Sequence, residues 1–244
     1  MHIFITCKAN HEVKLPIHYN HLLQGVIYNT LDKQLEEFLH NEGFQSGKRT
    51  FKMFAYSRLM GAFRLEKETG SIVFPGEFEW VISSPFLPFC ESVASRLLVK
   101  SSIRLGTNSV DIKSIEIRKM QVAGEEVKLK TLSPIVAYST LFDWSGRKRT
   151  CYYQPGETDY NMLIGNNLRK KYQAFYNREA PSGDVTVRNL GPMKMNLINY
   201  KGTIIKGYSG RITMTGPKEL LQVGLEGGIG ASNGQGFGCV QLIG

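Results

Sequence analysis

The spacing of hydrophobic residues along the first half of the chain changes between the period of a strand and that of a helix. Alternating apolar positions predict strands, and apolar positions three or four apart predict helices. The predicted elements are, in order, a strand at 2–7, a helix at 18–29 and a second after 32, strands at 51–63 and 71–82, a helix at 85–100 and a strand at 110–120. This β-α-β-β-α-β order is typical of a ferredoxin-like unit, in which two helices cover one face of an antiparallel sheet.

The second half follows the same order of elements, although it shares no visible sequence repeat with the first. Its predicted elements are a strand at 129–139, a helix at 158–177, strands at 184–189 and 203–215, a short helix at 217–224 and a closing strand at 237–243. We therefore predict an α+β protein of two tandem ferredoxin-like (RRM-like) domains, over residues 1–120 and 121–244.

Composition adds information about the partner and the compartment. The 244 residues contain 30 Lys and Arg against 21 Asp and Glu, a formal net charge of +9, which favours a polyanionic partner. No stretch approaches the roughly 20 apolar residues of a membrane span, and the first residues lack the features of a signal peptide, so we expect a cytoplasmic protein without membrane contact. Widely spaced cysteines predict reduced thiols, at Cys7, Cys90, Cys151 and Cys239.

Residues 227–238 hold six glycines in twelve positions, directly before the last predicted strand. Glycine permits close backbone approach, so the N–H groups of such a loop can bind the phosphates of a nucleic acid. A tight structural connection between helix and strand is the alternative. The candidate phosphate-binding residues are Gly228, Gly230, Ser232, Asn233, Gly236 and Gly238.

Two kinds of site that glycine-rich motifs often mark, a hydrolase nucleophile elbow and a dinucleotide-binding loop, are excluded here. Residues 230–234 match G-x-S-x-G, the nucleophile elbow of hydrolases, but that site needs a later histidine, and all five histidines lie in the first forty residues. A dinucleotide fingerprint needs a helix after the glycines, where a strand is predicted. H-E-x-x-H and D-x-D spacings are missing from the sequence, so we predict no metal and no cofactor.

The spacing Gly228-Ile229-Gly230, five residues, Gly236-Phe237-Gly238 resembles the C-terminal glycine-rich loop of the CRISPR-associated RAMP proteins. Blocks in the first half narrow the resemblance to their precursor-RNA-processing endoribonucleases, the Cas6 family: LPIHYN at 15–20, LQGVIY at 23–28 and FKMFAYS at 51–57. LSPI at 132–135 agrees at the start of the second half. The resemblance covers nearly the whole chain.

This resemblance places Tyr28, His40 and Lys52 on the Tyr-His-Lys catalytic group of the family. The 2′-hydroxyl of RNA can attack the adjacent phosphate if a base, an acid for the 5′-oxygen and a cation for the developing charge are present. By analogy Tyr28 is the base, His40 the acid and Lys52 the cation, which is also expected to ease ionisation of Tyr28. The roles of Tyr28 and His40 can be exchanged.

Helix geometry supplies a test of this assignment. In one continuous helix Tyr28 and His40 would stand about 18 Å apart and about 120° out of phase, too far apart to serve one phosphate. The chain must therefore turn at 29–32, where Asp32 can N-cap a second helix.

Each of the three candidate catalytic residues can instead have a purely structural role. Tyr28 can belong to the core, His40 can be a cation at a helix C-terminus, and Lys52 can be a strand-edge charge. His18 and His21 are then the alternative acids.

Basic residues occur in clusters and as single positions through the chain. Those expected to contact the RNA backbone are Lys48, Arg49, Arg188 and Lys194. Tyr160, Tyr172 and Tyr208 are interleaved with basic residues and are candidates for base stacking. We expect the RNA to lie between the two domains, next to the glycine-rich loop.

The resemblance implies a metal-independent endoribonuclease that cleaves CRISPR precursor RNA within its repeats, leaving a 2′,3′-cyclic phosphate and a 5′-hydroxyl. The implied partners are the repeat RNA and, for the guide RNA product, subunits of an interference complex; a monomer or homodimer is expected. Two alternatives stay open: a RAMP-fold subunit that binds guide RNA without cutting it, and a general basic RNA-binding protein. Joint presence of Tyr28, His40 and Lys52 favours the enzyme.

Overall fold

The fold is given by a computed structural model, which describes residues 1–243. Gly244, the last residue of the second predicted domain, lies outside the described residues. The elements of the first half are β1 (His2–Lys8), β2 (Val13–Pro16), α1 (Asn20–Asn29), α2 (Lys33–Glu37), a π-helical turn (Phe38–Glu42), β3 (Phe44–Ser46), β4 (Arg49–Phe51), β5 (Ala55–Tyr56), β6 (Met60–Gly61), β7 (Arg64–Glu66), β8 (Ser71–Phe74), β9 (Phe78–Ser83), α3 (Leu87–Lys100), β10 (Ser102–Leu105) and β11 (Asn108–Arg118).

An antiparallel sheet forms the base of the first half, with strand order β10-β11-β1-β9-β5 and β6 also pairing with β9. Side chains alternate along β1 between the two faces of this sheet. Ile3 and Ile5 share one hydrophobic core with residues of α1 and α3, whereas Phe4 packs with Leu132 and Cys239 of the second half. The β11-β1-β9-β5 part has the strand order of a ferredoxin-like unit.

The second half repeats this plan. Its elements are β12 (Glu126–Thr131), β13 (Ala137–Phe142), β14 (Lys148–Tyr153), α4 (Thr158–Tyr176), β15 (Thr186–Asn189), β16 (Lys194–Tyr200), β17 (Thr203–Ser209), β18 (Arg211–Thr215), α5 (Lys218–Gly227), a 3-10 turn (Asn233–Gln235) and β19 (Val240–Leu242). The sheet order is β15-β18-β12-β19, and residues of α4 and α5 share its core. The predicted α+β fold of two tandem ferredoxin-like units is confirmed.

Several predicted strands are wrong in length because the chain bends within them. The 51–63 stretch is divided among β4, β5 and β6, since Met53 has a positive φ of 52°. Residues 71–82 are divided between β8 and β9, which belong to different sheets, at the Pro75-Gly76 turn. Likewise 129–139 is divided at Ser133-Pro134 into β12 and β13, and 203–215 at Gly210 into β17 and β18.

Two long hairpins of the second half are absent from the prediction. Strands β13 and β14 pair with each other as one two-stranded sheet, and β16 and β17 as another. A bridge between Ile135 and Tyr208 joins the bases of the two hairpins. The β13–β14 hairpin contributes Tyr138 and Thr140 to the wall of the candidate site.

The turn predicted between the first two helices is confirmed. Helix α1 ends at Asn29, and the hydroxyl of Thr30 donates to the carbonyl of Ile27 over 2.7 Å. The Asp32 side chain then accepts a hydrogen bond from the backbone N–H of Leu35 at 2.9 Å and caps α2. Tyr28 and His40 therefore lie on separate helical segments.

Three of the four free cysteines, Cys7, Cys90 and Cys239, are buried, and Cys151 is partly buried. Within residues 1–243, no three His, Cys, Asp or Glu side chains are grouped closely enough to hold a metal ion. In the part of the chain that the structure describes, no helix has both the length and the apolar character needed to cross a membrane.

Candidate active site

A cleft of about 460 Å³ is lined by residues of both halves of the chain. The first half contributes α1 and the segment from β4 to Phe54. The second contributes the β13–β14 hairpin, α4 and the glycine-rich loop at 227–238. Two of the predicted catalytic residues, Tyr28 and Lys52, line this cleft.

His40 lies beside both of them. Its ring meets the ring of Tyr28 edge-on, with centroids 6.4 Å apart, and its backbone carbonyl accepts a hydrogen bond from Lys52 Nζ at 3.0 Å. His40 is exposed, and its Nδ1 lies 2.8 Å from Asn41 Oδ1. The fold thus brings together three residues that lie 12 positions apart in sequence, at 28, 40 and 52.

Burial changes the protonation chemistry of two of these groups. Tyr28 also packs edge-on against Phe54, and burial, with smaller contributions from Tyr200 and Glu36, raises the pKa of Tyr28 to about 12. Burial lowers the pKa of Lys52. The Tyr28 shift is opposite in direction to the one that a tyrosine base requires. At neutral pH the phenol therefore stays protonated and can donate a hydrogen bond or a proton.

A buried lysine organises the glycine-rich loop. Lys171, on α4, is only 2% exposed. Its ammonium donates to the carbonyl oxygens of Gly228 (2.5 Å) and Gly230 (3.1 Å) and to Oδ1 of Asn233 (2.6 Å). Burial lowers the pKa of Lys171 to about 7, while the three acceptors favour its charged form.

The predicted phosphate-binding residues of the loop divide into two groups. Gly228, Gly230, Gly236 and Gly238 are buried, as is the Asn233 side chain, which donates to the carbonyls of Ile229 and Phe237. The accessible part is 231–232 and 234–235, which lines the cleft. Among contacts of the described residues, the backbone N–H groups of Ser232, Asn233 and Gly234 donate no hydrogen bond.

The predicted basic contacts lie at different places. Lys48 and Arg49 are exposed at the turn of the β3–β4 hairpin, and Arg49 lines the cleft. Arg188 on β15 and Lys194 at the start of β16 are exposed but lie outside the cleft.

The prediction that three interleaved tyrosines stack on RNA bases is wrong. Tyr160, Tyr172 and Tyr208 are 0%, 3% and 5% exposed, because each packs into the core of the second half or under its hairpins. The accessible tyrosine of the cleft is instead Tyr138, which is 40% exposed and lies on the β13–β14 hairpin that the sequence did not reveal.

Sequence reasoning also missed a polar row on α1. Asn20 Nδ2 donates to the carbonyls of Gln235 (3.0 Å) and Gly236 (3.1 Å), and Gln24 Nε2 to that of Gly234 (2.6 Å). Together with Tyr28, these residues recur every four positions and therefore share one helix face. That spacing was a signal in the sequence that this face meets a polar partner.

Two family models match the chain and together span most of it. The model described as CRISPR associated protein Cas6, C-terminal, matches residues 117–242, and that described as CRISPR-associated protein Cas6, N-terminal, matches residues 14–116. The chain is 26% identical to CRISPR-associated endoribonuclease Cas6 1 of Methanocaldococcus jannaschii, over 98% of this chain and 92% of that protein. It is also 26% identical to CRISPR-associated endoribonuclease Cas6 of Pyrococcus furiosus, over 95% of this chain and 84% of that protein.

Solved structures share the whole fold. A structure of CRISPR associated protein Cas6 superposes with a TM-score of 0.81 at 25% identity, covering 100% of this chain and 99% of that one. A RAMP protein described as binding different RNA substrates superposes with a TM-score of 0.84 at 21% identity, covering 100% of both chains.

Proposed function

The chain belongs to the Cas6 family, and from this premise we propose that it is an endoribonuclease that cleaves CRISPR precursor RNA within its repeats. The names of the relatives from M. jannaschii and P. furiosus support the activity. The observation in this chain that carries the proposal is that Tyr28 and Lys52 line one cleft and that His40 contacts both.

The proposed reaction uses groups of the RNA and of the protein, without a metal. The 2′-oxygen forms a bond to the adjacent phosphorus while the bond from phosphorus to the 5′-oxygen breaks. The products are a 2′,3′-cyclic phosphate and a 5′-hydroxyl. One side chain takes the proton of the 2′-hydroxyl, another supplies a proton to the 5′-oxygen, and the Lys52 ammonium stabilises the charge that develops on the phosphate oxygens.

The raised pKa of Tyr28 favours one assignment of the two proton transfers. A phenol with a pKa of about 12 is a poor base at neutral pH but can protonate the departing 5′-oxygen, which is more basic as an alkoxide. In this scheme the imidazole of His40 takes the proton of the 2′-hydroxyl. Tyr28 supplies the proton of the leaving group.

The RNA backbone is proposed to enter beside the glycine-rich loop. The backbone N–H groups of Ser232 and Gly234, in the accessible part of the loop, and the cations of Lys48, Arg49 and Lys52 are suited to phosphate binding. Arg188 and Lys194 lie outside the cleft and then contact a more distant part of the RNA strand. The catalytic residues belong to the domain proposed over 1–120 and the loop to that over 121–244.

The proposed RNA partner agrees with the RNA-binding description of the RAMP protein of the same fold. The guide RNA product would be passed to, or stay bound with, subunits of an interference complex, and the enzyme would act as a monomer or homodimer.

The test uses the repeat RNA of the array that the protein serves, in buffer with EDTA, alongside the same RNA with a 2′-deoxy residue at the cut position. We expect cleavage of the first RNA and not of the second, since only the first has the attacking hydroxyl. Cleavage of the deoxy RNA, or a requirement for added Mg²⁺, would contradict the mechanism. Tight binding of both RNAs without cleavage would instead identify an RNA-binding subunit.

A further inference from the structure

A groove of about 380 Å³ opens next to the cleft, between the β13–β14 and β16–β17 hairpins. Tyr138 and Thr140 of the first hairpin and Ser232 and Gln235 of the glycine-rich loop line both the groove and the cleft. The groove is therefore a side branch of the cleft that contains Tyr28 and Lys52.

Two tyrosines form one wall of the groove. Tyr138 and Tyr152 are paired across the β13–β14 hairpin and stand on the same face, with ring centroids 6.0 Å apart. The Tyr152 hydroxyl donates to the carbonyl of Ile204 at 3.3 Å, which ties this ring to the other hairpin. Tyr138 is 40% exposed, so a large part of its ring is open to a ligand.

A third tyrosine connects the groove to the catalytic helix. Tyr200 of β16 is buried, and its hydroxyl donates to Gln24 Oε1, while Gln24 Nε2 donates to the carbonyl of Gly234. Gln24 lies one helical turn before Tyr28 on α1. The position of the groove relative to Tyr28 is thus fixed by hydrogen bonds.

The chemistry of the groove differs from that of the cleft. Of the described residues that line the groove, none is charged; they are tyrosines, hydroxyl residues, one isoleucine and the amide of Gln235. The cleft, in contrast, contains Arg49 and Lys52. An uncharged aromatic ligand with polar edges fits the groove, and a phosphate fits the cleft.

We propose that this groove binds the unpaired base of a nucleotide next to the phosphate held in the cleft, with the base stacked on Tyr138. Aromatic side chains bind single-stranded RNA in this way because every base offers a flat face. The hydroxyls of Thr140 and Ser232 and the amide of Gln235 face the polar edge of the base. The inference rests on the proposed function, because it takes the cleft as the place of the phosphate.

The test compares two probes of about 12 nucleotides: an oligouridylate and a ribose-phosphate oligomer of the same length without bases. Both carry the same phosphates, so their difference in affinity measures the contribution of the bases. We expect wild type to bind the oligouridylate at least about tenfold more tightly. Tyr138→Ala and Tyr152→Ala should reduce this ratio severalfold, while Tyr138→Phe, which keeps the ring, should preserve it.

Tyr176→Ala is the matched control, since Tyr176 is also 40% exposed but lies at the end of α4 outside the groove. It should leave the ratio unchanged. A wild-type ratio near one, or an unchanged ratio in both Tyr138→Ala and Tyr152→Ala, would overturn the proposal. Fluorescence of 2-aminopurine placed along the oligouridylate gives a second readout, because stacking on Tyr138 should quench it in wild type and not in Tyr138→Ala.

Failure of this proposal is distinguishable from failure of the proposed function. If the protein cleaves repeat RNA but binds both probes equally tightly, only the proposed base-binding role of the groove is overturned. If it prefers the oligouridylate in a way that depends on Tyr138 but cuts no repeat RNA, only the proposed nuclease activity is overturned.

Discussion

The ammonium group of Lys52 donates a hydrogen bond to the backbone carbonyl of His40 across 3.0 Å. Lys52 follows β4, and His40 lies in the π-helical turn after α2. One side chain thus places a positive charge at the cleft and also fixes the segment that carries the histidine. A substitution of Lys52 is therefore expected to affect both charge stabilisation and the position of His40.

Lys52→Ala should lower the single-turnover cleavage rate by about 100-fold or more, in the range found for the loss of one transition-state donor. RNA affinity should fall only severalfold, because other cations remain. Lys52→Arg should recover part of the rate, since it keeps the charge. Lys67→Ala, at the exposed turn between β7 and β8 and outside the cleft, is the control and should cut normally. A wild-type rate for Lys52→Ala would exclude Lys52 from the mechanism.

His40→Ala should lose cleavage while keeping its affinity for RNA, because the imidazole moves a proton and its exposed position makes it dispensable for the core. Single-turnover cleavage and filter binding on the same preparation measure the two properties. His11→Ala removes another exposed histidine, which does not line the cleft, and should change neither. Normal cleavage by His40→Ala would leave His18 and His21 as the candidates.

The pH profile distinguishes the two possible roles of Tyr28. Because burial raises its pKa to about 12, wild type should show no ionisation of Tyr28 in a cleavage profile measured from pH 6 to pH 10. Tyr28→Phe should be slower throughout this range, with the profile otherwise unchanged. A rise in wild-type rate between pH 8 and pH 10 that disappears in Tyr28→Phe would show a phenolate base instead.

Hydrophobic periodicity was sufficient to predict the fold class, because each ferredoxin-like unit buries one face of its sheet under two helices. It could not predict the bends at Met53 and at Ser133-Pro134, since these depend on tertiary packing between the halves. The β13–β14 and β16–β17 hairpins were missed because their strands are largely exposed and lack a clear alternation.

For the site, the resemblance to the Cas6 family identified Tyr28, His40 and Lys52 as the candidates. The N-cap residue Asp32 predicted the helix break between Tyr28 and His40. The lysine that holds the glycine-rich loop was missed for a definite reason. Lys171 lies in the basic run Arg169-Lys170-Lys171, which suggests a solvated surface. Its spacing from Ile164 and Leu168, three to four residues per step, nevertheless places it on the buried face of α4.

Two glycines of the loop should respond differently to the same substitution. Gly238 has φ of +69°, and a Cβ there would overlap the carbonyl oxygen of Ile229. Gly234 has ordinary backbone angles, and its nearest neighbour to a Cβ, Phe54 Cζ, would be 3.4 Å away. Gly238→Ala should therefore lower the free energy of unfolding by roughly 2 kcal/mol or more, and the melting temperature with it.

Gly234→Ala should fold like wild type, which makes it the matched variant for Gly238→Ala in thermal unfolding. Because its methyl group would point toward the Lys52 side chain at 3.6 Å, it should weaken RNA binding without unfolding the loop. Equal melting temperatures for the two variants would contradict the loop geometry described above.

Lys171→Met should destabilise the protein, because a similar volume is kept while three acceptors lose their donor. The expected loss in free energy of unfolding is about 3 kcal/mol, the order found when one partner of a buried charged group is removed. Lys170→Met is the matched control: the neighbouring lysine is exposed and its substitution should be nearly neutral. Urea unfolding of the three proteins measures the difference.

The pH dependence of that difference reports the protonation state of Lys171 in the folded protein. Burial lowers the pKa of Lys171 from the ordinary value of 10.5 to about 7 in the folded protein. Between these two values the unfolded chain binds a proton that the folded chain has released, so the contribution of this group to the free energy of unfolding rises with pH. The stability of wild type relative to Lys171→Met should therefore increase from about pH 7 toward pH 10 and stay constant below pH 7. A difference that is constant across the whole range would mean that the three acceptors keep Lys171 fully protonated, and its pKa near the ordinary value.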